Sequence, residues 1–195
     1  MSLINRDHSL LIVIDVQEGF YSESRTDVDW ADFGLFVDRV AWVAGVARSL
    51  DVPVVVTEED RARNGGTAER VTARLPESAE VFEKAVFAAP DNPDIAAAID
   101  AYGKGISVLV GMETDVCVAH SALRLKEDGK RVVAVRDALF SPQGAHANGI
   151  RRLRDAEVEL ISAKELFYDW VPTLAGVREF KAANTNLAHP PGFSL

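Results

Sequence analysis

A single cysteine, Cys117, stands among 195 residues, so no internal disulfide can form and the chain reads as cytoplasmic. No apolar stretch approaches the ~20 residues needed to span a bilayer. Asp15 interrupts the first apolar run, Leu10–Ile14, before it could act as a secretory signal. Cations are outnumbered: 21 Lys and Arg face 30 Asp and Glu, a formal net charge of −9 that speaks against nucleic-acid and membrane partners. The four histidines, His8, His120, His146 and His189, are too dispersed for a metal site, and neither a catalytic metal nor another cofactor is expected. The turn after the first apolar run lacks the G-x-G-x-x-G of dinucleotide binders, and no G-x-S-x-G marks a serine nucleophile. Internal repeats are missing too. What remains is one enzyme-sized domain over residues 1–195, long enough to bury roughly 65% or more of its unfolded surface.

The apolar runs are short and continuous, as in parallel strands covered on both faces. Five are clear, Leu10–Ile14, Val54–Thr57, Ile106–Val110, Val132–Val135 and Val158–Ile161, with Val81–Glu83 as a short sixth. Helical spacing fills the intervals Trp30–Leu50, Pro93–Tyr102, Val116–Glu127 and His146–Ala156. This alternation predicts a three-layer α/β/α, Rossmann-like architecture with a six-stranded, mostly parallel sheet and helices on both faces. Residues 58–80 are polar and Gly-containing and read as a lid or specificity loop. Residues 188–195 read as an extended C-terminal arm, packed on a neighbouring subunit or frayed.

Sheets of this kind bind ligands at the carboxyl ends of their strands. Asp15 ends the first strand, Lys84 follows the short one, and Cys117 follows the turn Gly111-Met-Glu-Thr-Asp115 after a central one, so all three belong to one edge. With Thr114 as N-cap, Cys117 is the third helical residue, where free amides and the helix dipole lower a thiol pKa. Each residue alone has a bland reading: a turn-capping aspartate, a snorkelling lysine, an inert buried cysteine. Together they form a nucleophile, a proton acceptor and a cation that tolerates both.

The motifs Leu11-Ile-Val-Ile-Asp15-Val-Gln17-Glu-Gly-Phe20, Lys84 with Phe87, and Gly111-Met-Glu-Thr114-Asp-Val-Cys117-Val118 resemble the isochorismatase-like cysteine hydrolases. Arg136-Asp137-Ala138, His146 and Ser162-Ala-Lys164-Glu-Leu extend the resemblance over nearly the whole chain. It implies a catalytic triad of Asp15, Lys84 and Cys117, a cis peptide between Met112 and Glu113, and an oxyanion hole from the backbone N–H groups of Glu113 and Cys117. It further implies a homo-oligomer acting on a small-molecule substrate. A retained thiol fits cleavage of a C–N bond in an amide, imide or ureido compound through a thioester. The alternatives are an isochorismatase-type vinyl ether hydrolase and a non-catalytic scaffold that keeps the fold.

A papain-like pair of Cys117 with His120 or His146 is the nearest enzymatic rival, and His120 shares the helix with the thiol instead of facing it across a cleft. A haloacid-dehalogenase-type phosphatase needs a carboxylate where this chain has Gln17. Phe20, Phe87 and Trp170 are candidates for holding a planar substrate, with Tyr21 and Arg61 behind them. Glu113 and Asp115 flank the thiol, and carboxylates facing it would raise its pKa.

Overall fold

The computed structural model describes residues 2–195. Six strands, β1 (Ser9–Ile14), β2 (Val54–Glu59), β3 (Glu80–Lys84), β4 (Ile106–Met112), β5 (Arg131–Phe140) and β6 (Glu159–Ile161), form one sheet in the order β3-β2-β1-β4-β5-β6. Every neighbouring pair is parallel, where the sequence suggested mostly parallel. The chain winds outward from β1 to β3 and then returns to the other side of β1 as β4. That reversal opens a crevice at the carboxyl ends of β1 and β4, the place where such sheets receive ligands.

Period-two alternation divides the buried residues of β1 between two cores. Leu11 and Val13 face the larger core, shared with α1 (Trp30–Ser49), α7 (Ala163–Trp170) and α8 (Leu174–Ala183). Leu10, Ile12 and Ile14 face the second, with α4 (Pro93–Ala101), α5 (Ala119–Glu127) and α6 (Gly144–Asp155). The three-layer architecture follows. Asp29 caps α1 through the amides of Ala31 and Asp32, and Ser162 with Glu165 forms a capping box on α7. No helix among the described residues is long and apolar enough to cross a membrane.

Gly111 fits β4 against β1 at the crevice. Its φ is +127°, and a Cβ there would lie 2.0 Å from the carbonyl oxygen of Ile14. Only glycine meets both demands. Gly111→Ala is therefore expected to destabilise the fold by about 3 kcal/mol or more in urea denaturation. An unchanged midpoint would contradict this packing.

The elements depart from the sequence reading at several points: β5 runs on to Phe140, and α7 and α8 lie where no helix was expected. β2 runs two residues further, through Glu58 and Glu59. The 58–80 segment, expected as a lid, a pocket wall or a specificity loop, is tied down: it carries α2 (Arg61–Asn64) and α3 (Glu69–Thr72), buries Val71, and donates the Ala68 amide to Val16 O. Buried Glu58 accepts from the amide and hydroxyl of Thr67, so the segment is an anchored wall. Within the chain, the C-terminal arm packs on α1. Phe193 meets Trp42 edge to face at 5.2 Å, and Arg39 Nε donates to Pro191 O.

Candidate active site

Asp15 follows β1 with φ +52°, and its carboxylate is fully buried. Oδ1 accepts from Thr57 Oγ1 at 2.7 Å, while Oδ2 stands 2.7 Å from Lys84 Nζ at an angle outside hydrogen-bond geometry. Thr57 belongs to β2 and pairs with Ile14 in register, so the sheet itself sets this contact. Lys84, last in β3, does not snorkel. It is fully buried and donates to Val86 O at 3.0 Å and to Cys117 Sγ at 3.6 Å. The three residues expected at one edge of the sheet are thus brought together.

A fourth group joins them. Glu59, paired with Lys84 across β2 and β3, places Oε2 3.2 Å from Cys117 Sγ and 3.7 Å from Lys84 Nζ. Its backbone is clamped by Gln17, whose side chain accepts from Glu59 N and donates to Glu59 O, and by Asn64 Nδ2. Sequence reasoning missed Glu59 because two consecutive glutamates look like the start of a polar loop. The available signal was their place directly after Thr57, at the strand end that faces the ligand edge.

The electrostatics differ from expectation. Thr114 is not an N-cap; it opens a π-helical turn, Thr114–Val118, and its hydroxyl pairs with His146 Nδ1 at 2.9 Å. Burial pushes the Cys117 thiol well above its ordinary pKa, the charge of Asp15 adds to this, Lys84 partly offsets it, and Glu59 raises it further. The shift runs opposite to the lowering that the helix terminus alone would give. Burial likewise raises Asp15 above the usual carboxylate range, against the pull of Lys84 and Thr57. Burial alone would lower Lys84, but Asp15, Cys117 and Glu59 overcome it and hold the ammonium above its ordinary value.

Glu113 and Asp115 turn away from the sulfur. Tyr21 donates to Glu113 Oε1 at 2.7 Å, and Ser141 donates to Asp115 Oδ1 at 2.6 Å. The Met112–Glu113 peptide is cis. Neither histidine of the papain-like rival partners the thiol: His146 serves Thr114, and His120 lies edge to face with Phe87.

The aromatic candidates separate. Phe87 is half exposed and lines a cleft of about 640 Å³ with Glu59, Asp60, Glu83, Lys84 and Asn92. Phe20 stays on the correct edge but packs against Tyr21 and the larger core and does not line this cleft. Trp170 is a correction. It is buried in α7 and donates to Ser9 Oγ, at the first residue of β1 and therefore at the opposite edge of the sheet. Tyr21 is a buried support for Glu113, and the Arg61 guanidinium pairs with Glu58 at 3.0 Å.

Asp15, Glu59 and Cys117 are the one group among the described residues whose donor atoms, all within 4.8 Å of one another, could share a cation. The Lys84 ammonium already touches both carboxylates and supplies the positive charge there.

An all-parallel three-layer sheet with a thiol, an ammonium and two carboxylates at its ligand edge defines an α/β protein of the hydrolase kind. Residues 9–165 match the family model for the isochorismatase domain, and the chain belongs to that family. It is 27% identical over 181 residues to the probable hydrolase YcaC of Escherichia coli, covering 89% of this chain and 85% of that one. Among solved structures it is similar to the MAR1 ribonuclease of Caenorhabditis elegans, with a TM-score of 0.83, 23% identity, and coverage of 100% and 98% of the two chains. It is also similar to the Escherichia coli YcaC gene product, described as an octameric hydrolase of unknown specificity. That match has a TM-score of 0.79 and 22% identity, over 96% of this chain and 93% of that one.

Proposed function

We propose that the protein is a cysteine hydrolase that cleaves a C–N bond in a small amide, imide or ureido compound. The observation that carries this reading is the buried contact of one thiol with an ammonium that is itself paired to a carboxylate. Asp15 takes the proton from Cys117, and the sulfur bonds to the carbonyl carbon as the C=O electron pair moves to oxygen. Backbone N–H groups of Glu113 and Cys117 receive that oxyanion. The C–N bond then breaks as protonated Asp15 gives its proton to the leaving nitrogen. Water then loses a proton to Asp15 as its oxygen bonds to the thioester carbon; the C–S bond breaks, and Asp15 returns that proton to the sulfur.

This sequence passes the thiol proton to Asp15 as the sulfur attacks and keeps Lys84 positive throughout. It also sets a pH dependence. Asp15 must be ionised to accept the proton, and its raised pKa moves the acid limb of kcat/KM above the ordinary carboxylate range. A panel of small amides, imides and ureido acids, assayed for ammonia or amine release across pH, tests this. Turnover of one class with that acid limb is expected; turnover that persists in Asp15→Asn would overturn the role. The octameric state of the Escherichia coli relative supports a homo-oligomer here as well.

A further inference from the structure

The geometry points to Glu59 as the specificity-determining residue of this site, selecting substrates that carry a positively charged nitrogen. The inference rests on Cys117 being the nucleophile and goes further in naming the substrate's charge. Cys117 is almost wholly covered, at 2% exposure, whereas the Glu59 side chain keeps 23%. Glu59 lines the cleft and Cys117 lies behind that lining, so a molecule entering the cleft meets Glu59 before it meets sulfur. Glu59 Oε2 accepts the S–H hydrogen at 3.2 Å, and no hydrogen bond from a described residue reaches its other oxygen. The carboxylate therefore covers the nucleophile and keeps an acceptor free for a ligand.

The rest of the cleft has the same sign. Asp60 and Glu83 join Glu59 on its lining, and among the described residues their carboxylates accept only from the backbone amides of Arg63 and Arg61, which carry no net charge. The one cation on the lining, Lys84, is committed to Asp15 at 2.7 Å. Arg61 turns its guanidinium to Glu58 and does not line the cleft. Phe87, 55% exposed on the same wall, offers an aromatic face to a cation. A substrate with carboxylates would meet three like charges; one with an ammonium, guanidinium or amidinium end would pair with Glu59 and draw it from the sulfur. The released S–H then has Asp15 as its remaining acceptor, so binding the correct charge uncovers the nucleophile and hands its proton to the base. Vinyl ether dicarboxylates such as isochorismate are disfavoured by the same field.

Two methanethiosulfonates of matched length test this, 2-aminoethyl (cationic) and 2-sulfonatoethyl (anionic). In both, the Cys117 sulfur forms a disulfide with the reagent's outer sulfur, and methanesulfinate leaves with the bonding pair. Rates on the full chain are normalised to glutathione and read by intact mass. We expect the cation-to-anion ratio to exceed unity by about tenfold or more, a size that one carboxylate at contact range produces. Glu59→Gln keeps the backbone clamp and is expected to remove most of that preference. Glu83→Gln, which leaves the sulfur's contacts intact, is expected to lower it by a smaller factor. A native ratio at or below unity, or one unchanged in a folded Glu59→Gln, overturns the inference while leaving Cys117 as the nucleophile. Failure of both reagents to modify Cys117 overturns the nucleophile and the inference with it.

Discussion

Cys117→Ala is expected to lower turnover by on the order of 10⁴-fold or more, because the proposed acyl intermediate forms on this sulfur. The sulfur lies in the core between the sheet and α4–α6, so truncation also leaves a small void. That void costs about 1 kcal/mol, a modest shift in melting temperature. The two readouts together separate lost chemistry from lost structure. Cys117→Ser keeps the shape and a hydroxyl but lacks a comparably nucleophilic atom, and it is expected to fall nearly as far. A Cys117→Ala protein with full turnover would return the site to a vinyl ether mechanism that needs no thiol. A native protein inert towards every substrate and every thiol reagent would favour a binding scaffold.

Lys84→Met is expected to destabilise the fold by about 3–5 kcal/mol at neutral pH, the usual result of leaving a buried charge unpaired. Methionine fills much of the lysine stem's volume, so little of this loss comes from packing. The sign with pH follows from Asp15. Its folded pKa already lies above the ordinary value because burial disfavours the anion, and removing the ammonium raises it further. A group with a raised folded pKa binds its proton more tightly when folded. Falling pH therefore relieves the variant, and its deficit against the parent shrinks as Asp15 is neutralised. The double variant Asp15→Asn/Lys84→Met is expected to recover a large part of the loss, giving a coupling energy of a few kcal/mol in a double-mutant cycle. In the parent, Lys84 stays protonated past its ordinary value, so the pair's contribution holds below that value and is lost as pH rises through the folded pKa. Urea denaturation of the four proteins at neutral and mildly acidic pH measures all of this. Additive single effects would show that the 2.7 Å contact does not couple the two residues.

The sheet was legible because its central strands are almost wholly apolar and buried: β1 and β4 face packed helices on both sides, and each carries a single serine, Ser9 or Ser107. The three separated site residues were legible for the converse reason, that an aspartate or lysine beside such runs must meet a partner. Glu59 was hidden by the same logic. A strand that ends in two glutamates looks as if it has already stopped, and only the pairing of Glu59 with Lys84 across β2 and β3 reveals that it continues into the site. Trp170 was misplaced because an aromatic residue carries no mark of which sheet edge it will occupy; its indole N–H found Ser9 at the far one. The direction of the thiol's pKa shift could not be read locally either. The helix terminus favours thiolate, but burial beside Asp15 and Glu59 outweighs it, and both depend on residues more than fifty positions away. The arm over residues 188–195 carried an apolar signal with no address, and within the chain its Phe193 meets Trp42.

Acid quenching during turnover of an amide accepted by the protein, followed by intact and peptide mass spectrometry, tests the proposed chemistry most directly. The account predicts an acyl adduct on the peptide that contains Cys117, released by hydroxylamine and not formed in Cys117→Ala. Steady hydrolysis with Cys117 unmodified at every quench time, and undiminished in the alanine variant, would contradict it.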